Sequence, residues 1–495
     1  MAKDSNTSLS KGRLGVAGIV FFVVAASAPL VGMTGAVPVA MLLGNGAATP
    51  GAYLAVGLTL LLFSVGYAAM SHKVTNAGAF FAYVGKGLGV KAGVASAFAS
   101  IVGYVTIQLA IYGFFGLVIS LAGVELGIDL PWWAWALIAW ALVTGLSLLS
   151  VDIGAKLLGV LLSIELLSLL VTGLAILIKG GPEPINFAAS FDPSLVFAGG
   201  FAGTAGIALA FAFASFIGFE ATAIYGEESK NPKRDVPRAT YWAIGIISFI
   251  FALVSFAMVT GMGASTVIDQ VLERSSGLAD PAAVLFSLAG EYVAPELVLI
   301  MTILVITSLF AGLLAFQNAA ARYFFAMGRG GVMPAALGKT NDAGAPQNGA
   351  LLTSAIAAIV IIGFAAAGLD PFLNLFSWMS AITVIAVVAV EILVSVAIIV
   401  FFMKDGGGNV WNSKIAPALS AVLMTAGLYL LMSRFNLLAG TVADGVDPSL
   451  PESGWALSPL GWLLVLSPFI AMVAGYVVAT MMKDKNDALV KDFAS

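Results

Sequence analysis

The 495 residues contain no cysteine and a single histidine, His72. Disulfides and thiolate metal sites are therefore excluded. His-rich metal centres and nucleophilic triads built on histidine go with them, and His72 is expected at the boundary between a helix end and a loop. Charge is also scarce. The 22 Lys and Arg and 26 Asp and Glu make up 10% of the chain, where a soluble domain carries about 25% to face water. Nucleotide motifs are missing as well. With no P-loop, no ATP-driven pump is indicated. The run Gly85-Lys86-Gly87-Leu88-Gly89 reads as a glycine-rich loop, but a helical pattern and not a strand precedes it, so it is no dinucleotide site. No cofactor is expected. The basic loop with Lys230, Lys233, Arg234 and Arg238 is an orientation signal rather than a nucleic-acid surface.

What the chain has in abundance is apolar length. Sixty per cent of its residues are hydrophobic and the mean hydropathy is +1.03. So few charges cannot cover so much apolar surface, so most of the exterior must face lipid. A spanning helix needs about 20 mostly apolar residues. Twelve such runs are expected, spans 1 to 12, at about 15–43, 50–71, 93–122, 132–150, 155–178, 200–225, 239–262, 294–326, 349–367, 372–403, 413–433 and 456–482. The runs are unbroken rather than alternating, which argues against strands. Ala26-Ser27-Ala28 resembles a signal-peptide cleavage site, but the apolar run continues to about Leu43, which suits a span better. With a cytoplasmic N-terminus, only Lys179, Arg274 and Arg434 of the 22 basic residues fall in outside loops. Both termini are then expected in the cytoplasm, in a plasma or inner membrane. The longest outside loops are about 179–199, 263–293 and 434–455.

Two spans carry helix breakers in mid-membrane. Span 1 holds Ser27-Ala28-Pro29, then Gly32, Gly35 and Pro38. Span 6 holds Ser215-Phe216-Ile217-Gly218-Phe219-Glu220. Proline removes a helical donor, and glycine permits backbone angles that other residues avoid. Interrupted helices at matching positions of two halves point to a transporter's central site. The spacing suits an inverted repeat of five and five helices, about 15–178 and 200–403, within a ten-helix core of 15–403. Helices 11 and 12 at 413–482 are additions, and 1–14 and 483–495 are cytoplasmic tails. A pair of kinked packing helices explains the same breakers. Three carboxyls lie inside spans: Glu165 in span 5, Glu220 in span 6 and Glu391 in span 10. Each charge at the bilayer centre costs roughly 2.5–3.5 kcal/mol on insertion scales. Desolvation disfavours the charged form of a carboxyl, and alternation between charged and neutral forms is the chemistry of a proton-coupled carrier. A neutral, hydrogen-bonded structural role is the plainer reading for each. Tyr104, Gln108 and Tyr112 form one stripe on span 3, equally suited to lining a pocket and to packing. Gln317 and Asn318 on span 8 are expected to bond between helices.

Three stretches together resemble the amino acid–polyamine–organocation superfamily. The first is Asn76-Ala77-Gly78-Ala79-Phe80-Phe81-Ala82-Tyr83 with Gly87 and Gly89. The second is the Ser215 to Glu220 run followed by Glu227-Glu228-Ser229-Lys230-Asn231-Pro232 and Pro237-Arg238-Ala239. The third is Ala321-Arg322 through Gly328-Arg329-Gly330-Gly331-Val332-Met333-Pro334, with Pro346 beyond. The resemblance implies the leucine-transporter fold, all-α and membrane-embedded, with discontinuous helices 1 and 6 holding substrate between them. It implies an α-amino group on free carbonyls and a carboxylate on free N–H groups at half-helix N-termini. The implied contacts are Ala26, Ser27, Ala28, Leu30, Val31 and Gly32 of span 1, Ala214, Ser215, Phe216, Ile217 and Gly218 of span 6, and Tyr104 and Gln108 of span 3. Phe216 would be an aromatic lid, and Glu220 matches the family's span-6 glutamate. Two positions depart from the pattern. Pro29 stands where many amino acid members have a glycine signature, and it cannot donate an N–H, which favours a substrate amine over a substrate carboxylate. Glu165 falls where some proton-coupled members have a lysine, with Ser308 or Thr307 placed to assist it.

The expected function is secondary active import of an amino acid or related amine by proton symport through alternating access, not enzymatic catalysis. Its partners would be that small molecule, a proton and the lipid bilayer, with sodium as the alternative ion. An exchanger or polyamine carrier is the runner-up, followed by a channel or a transporter-like sensor.

Overall fold

The computed structural model describes residues 15–73, 79–149, 155–220, 222, 229–405 and 407–482. Parts of the family-like stretches, Asn76 to Gly78 and Glu227-Glu228, lie outside the described residues, as do both expected tails. The described chain is helical, as a lipid environment requires: with no water to satisfy backbone groups, each helix must bond its own.

Among the described residues, nine helices are long and apolar enough to cross a membrane by length and composition. One of them, Val16–Ser71, has 56 residues, which at 1.5 Å per residue would be about 84 Å if straight, far beyond a hydrocarbon core of about 30 Å. It is interrupted at Ala28. It is interrupted again where Gly44 leaves helical angles (φ −97°, ψ −110°) and Gly46 has φ 55°. Span 1 is therefore Val16–Ser27 followed by short α and π stretches over 29–45, and span 2 is Thr49–Ser71. Ala205–Phe216, the first half of span 6, meets Pro193–Ala202 at a 114° bend. Span 4, Trp132–Leu148, is a shorter apolar helix. Counted this way, the described helices accommodate the twelve expected spans. The others are span 3, Val90–Glu125; span 5, Ala155–Lys179; span 7, Pro232–Met262; span 8, Pro295–Arg329; span 9, Gln347–Ala366; span 10, Pro371–Phe376 continuing as Ser377–Asp405; span 11, Trp411–Ile415 continuing as Ala416–Ser433; and span 12, Pro459–Met481.

Two groups organise the bundle. Span 2 packs against spans 6, 7, 10 and 11, and span 3 packs against spans 4, 8, 9, 10 and 12. Small residues set the close approaches. A Cβ added at Gly57 of span 2 would lie 2.8 Å from the Ser248 Cβ of span 7, and one at Gly113 of span 3 would lie 2.3 Å from the Pro371 carbonyl of span 10. Small residues are how membrane helices gain packing where burial from water drives nothing. Outward-facing Leu58, Val160, Ile359, Val422 and Val473 are exposed, as lipid-facing positions should be.

Three expectations need correction. The glycine-rich run at 85–89 is not a loop: a helix, Ala79–Leu88, covers most of it, and only Gly89, at φ 97°, turns the chain into span 3. Tertiary contact overrides propensity here, since a Cβ at Gly87 would lie 2.2 Å from the Ala397 carbonyl of span 10. The segment 263–293, read from the sequence only as a loop, holds helices Val267–Arg274 and Ala283–Tyr292. Arg434 is not a solvated loop charge: it is 1% exposed. It donates to the Gly203 carbonyl at 3.3 Å, the Leu450 carbonyl at 2.8 Å, the Ser453 hydroxyl at 2.9 Å and the Pro451 carbonyl at 3.0 Å, and also to the Ala202 carbonyl. His72 sits exposed just past the end of span 2, as expected.

Candidate functional site

The break in span 1 follows from its proline. The residue before a proline is pushed out of the right-handed helical region, and Ala28 takes left-handed angles (φ 42°, ψ 67°). Pro29 then opens the next helical stretch, where its missing N–H costs nothing. The Ala28 amide turns back to the Ala25 carbonyl at 3.1 Å, and Gly32 donates to the Ala28 carbonyl at 3.1 Å. That leaves the carbonyls of Ala26 and Ser27 without donors, and the amides of Leu30 and Val31 without acceptors, among the described residues. Two free acceptors thus stand beside two free donors. The constraint expected from Pro29 is narrower than the sequence implied, because the next two residues can donate.

The break in span 6 is made differently. Helix Ala205–Phe216 ends as Ile217 goes extended (φ −58°, ψ 131°), and Gly218 adopts φ 112°, a region that only glycine enters easily. Its freed amide donates to Glu220 Oε2 at 2.8 Å. Glu220, 1% exposed, also accepts the Tyr104 hydroxyl on Oε1 at 2.9 Å, and Tyr67 donates to its backbone carbonyl at 3.0 Å.

The two breaks lie against each other. A Cβ on Gly218 would meet the Ala26 Cβ at 2.9 Å, and one on Gly32 would meet the Ser215 Oγ at 3.2 Å. The Ser215 hydroxyl donates to the Phe211 carbonyl at 2.8 Å and lies 3.3 Å from the Tyr53 hydroxyl. The Tyr53 ring stacks on Phe251 of span 7 with centroids 4.8 Å apart. Ala26, Ser27, Ala28, Leu30, Val31 and Gly32 are therefore brought to the same region as Ser215 and Gly218, with Ala214 one residue before Ser215 and Ile217 in the wall of a cavity on the far side. Phe216 stands on the other side of span 6. It lines a cavity of about 10 Å³ shared with span 2 and span 10, and a Cβ at Gly57 would lie 3.5 Å from its ring.

Of the span-3 stripe, Tyr104 reaches the site through Glu220. Gln108 instead donates to Gln317 Oε1 at 2.7 Å, and Gln317 donates on to the Ala350 carbonyl and the Ser354 hydroxyl, both at 2.9 Å. Asn318 accepts from Ser147 at 2.8 Å, so both span-8 amides bond between helices. Glu165, 3% exposed, accepts the Ser308 hydroxyl on Oε2 at 3.2 Å. Thr307 bonds its own helix at Leu304. The stretch Pro29–Val31 packs against both span 5 and span 8, so the Glu165–Ser308 pair joins the two helices that flank the break in span 1.

Sequence reasoning missed Tyr53 and Tyr67. Their signal was spacing: Tyr53, Leu60 and Tyr67 recur every seven residues, which places them on one helical face. In the structure that face runs along span 6, from Ser215 at Tyr53 to Glu220 at Tyr67, with Leu60 in the cavity between.

A family model for amino acid permeases matches residues 18–482. The chain belongs to the amino acid permease family. Among curated relatives, the branched-chain amino acid permease BcaP of Lactococcus lactis is 34% identical over 189 residues, 38% of this chain and 37% of the relative. The lysine-specific permease LysP of Escherichia coli is 24% identical over 185 residues, 37% and 36% of the two chains. The methylthioribose transporter of Bacillus subtilis is 25% identical over 193 residues, 39% and 37%. The chain thus matches a little over a third of the length of each of these relatives.

Proposed function

We propose that this permease is a secondary active carrier importing an amino acid or related amine across a plasma or inner membrane, with both termini cytoplasmic, by alternating access. The observation that carries the reading is the apposition of two broken helices, with unpaired carbonyls at Ala26 and Ser27 and unpaired amides at Leu30 and Val31. An ammonium group suits the carbonyls and a carboxylate suits the amides, whose helix dipole favours anions. An inverted repeat of five and five helices explains why the breaks fall in spans 1 and 6. Two names among the relatives, for branched-chain amino acids and for lysine, support the amino acid class; the methylthioribose name keeps a non-amine substrate in the screen.

Protons are the proposed coupling ion, with Glu165 as the titrating group. Its carboxyl links span 5 to span 8 beside the span-1 break, so its charge bears on how those helices meet. The test is uptake into proteoliposomes under an imposed pH gradient, with a sodium gradient as the second arm. Substrate comes first from a thermal-shift screen of amino acids, amines and methylthioribose, because a ligand at 100 times its Kd stabilises by about 2.7 kcal/mol. The expected outcome is accumulation driven by the pH gradient. Glu165→Gln should abolish that accumulation and keep counterflow. Accumulation in the variant with unchanged gradient dependence removes Glu165 from the coupling role, and accumulation driven only by sodium replaces the ion.

A further inference from the structure

The three membrane-buried carboxyls use their oxygens differently. Both oxygens of Glu220 accept hydrogen bonds, and Glu165 Oε2 accepts one from Ser308. Glu391 on span 10 is 2% exposed, and its Oε2 is buried with no hydrogen-bond partner. It lines the cavity of about 10 Å³ whose other walls include Leu60 of span 2, Phe216, Ile217 and Phe219 at the span-6 break, and Val387 of its own helix. Such a volume is about one water molecule. The walls are otherwise apolar, and an unpaired carboxylate in such a place is prohibitively costly. The titratable groups acting on Glu391 from packed elements are Tyr67 of span 2 and Glu220 of span 6. No basic residue forms an ion pair with it among the described residues.

Span 10 packs against spans 2, 3, 6, 11 and 12 and the helix Ala79–Leu88, and its cavity is walled by spans 2 and 6. The cavity therefore lies in the seam between the broken helix and its neighbour, where a rearrangement of span 6 would first admit water.

We propose that Glu391 is a second proton-binding site of the transport cycle. It holds its proton while the seam is closed and releases it to water when span 10 parts from Phe216–Phe219. In that step the O–H bond of the carboxyl breaks, its electron pair stays on the carboxylate oxygen, and the proton passes to a water in the opened cavity as hydronium. Re-closure reverses it. The proposal rests on the carrier reading above, and its first test does not need transport.

That test is infrared difference spectroscopy of the purified full-length protein through a pH titration, following the carboxylic-acid carbonyl band. The expected result is one titrating band that is lost in Glu391→Gln, an isostere of the neutral acid, and displaced in frequency in Glu391→Asp. Identical titrations in the parent and both variants overturn the proposal. In the parent fold, Leu60→Ala enlarges the cavity and should move the midpoint of that band to lower pH; an unmoved midpoint overturns the role of the cavity. A protein that shows the Glu391 band but carries nothing defeats the carrier reading alone. One that accumulates substrate without a Glu391 band defeats this proposal alone.

Discussion

The breaks in spans 1 and 6 reach the same end by opposite routes. In span 1 the chain is turned by an alanine in left-handed angles before a proline, and no side chain caps the helix that restarts there. Donors and acceptors are left open. In span 6 the turn uses a glycine, and the freed amide is taken at once by Glu220, which Tyr104 braces in turn. One break leaves donors and acceptors open side by side, and at the other the freed glycine amide is already taken. A buried amide without an acceptor costs about 1–3 kcal/mol, so the open break is tolerable only if something returns that energy. On the proposed carrier reading, that contrast would put recognition chiefly at span 1 and shape at span 6.

The largest way to disturb this contrast is Gly218→Val. The side chain would enter at φ 112° and press on Ala26; backbone strain and overpacking cost about 1–3 kcal/mol each. Thermal unfolding in detergent should fall accordingly, and uptake should drop at least about tenfold, equivalent to roughly 1.4 kcal/mol on the barrier. Wild-type uptake in Gly218→Val would mean the apposition of the breaks is incidental. Next comes Glu220→Gln, in which only one oxygen remains to serve Gly218 and Tyr104 and an amide NH₂ is left to satisfy. A loss of about 1–3 kcal/mol of stability is expected, and a thermal midpoint equal to the parent's would show that span 6 does not depend on this cap. Tyr67→Phe removes one hydroxyl from the Glu220 carbonyl and should cost about 1 kcal/mol; paired with Glu220→Gln in a double-mutant cycle, it should show coupling, whereas simple additivity would separate the two groups. The smallest effect is expected at Ala28→Gly. Relief of left-handed strain, about 1–2 kcal/mol, is largely offset by glycine's extra entropy of about 0.5–1 kcal/mol. The thermal midpoint should rise slightly with uptake unchanged, and a fall would mean that the alanine methyl itself shapes the break.

The breakers were legible because proline and glycine act locally: Ala28 and Gly218 bend where their neighbours dictate. The pairing of Glu165 with Ser308 was also within reach, since two polar groups on apolar helices seek each other. What the sequence hid depends on which way a side chain turns. Phe216 shares the unwound stretch with Ser215, yet its ring faces spans 2 and 10 while Ser215 faces span 1. Tyr53 and Tyr67 went unremarked because their partners, Ser215 and the Glu220 carbonyl, meet them only when span 6 lies beside span 2. Gln108 shares its stripe with Tyr104 but bonds into span 8. Gly87 looked like loop chemistry and proved to be a contact surface for span 10. Arg434 followed a loop's composition and disappeared into a cluster of carbonyls.

That arginine has a consequence for the autonomy of the core. Its acceptors at Ala202 and Gly203 stand just before span 6, and those at Leu450, Pro451 and Ser453 lie between spans 11 and 12. The last two helices are therefore moored to the chain that enters span 6, the helix broken at Gly218. A chain ended after span 10 would lose the mooring as well as two lipid-facing helices, so the ten-helix core is not a separable machine with two passengers. The two added helices share their anchoring arginine with the approach to the broken helix.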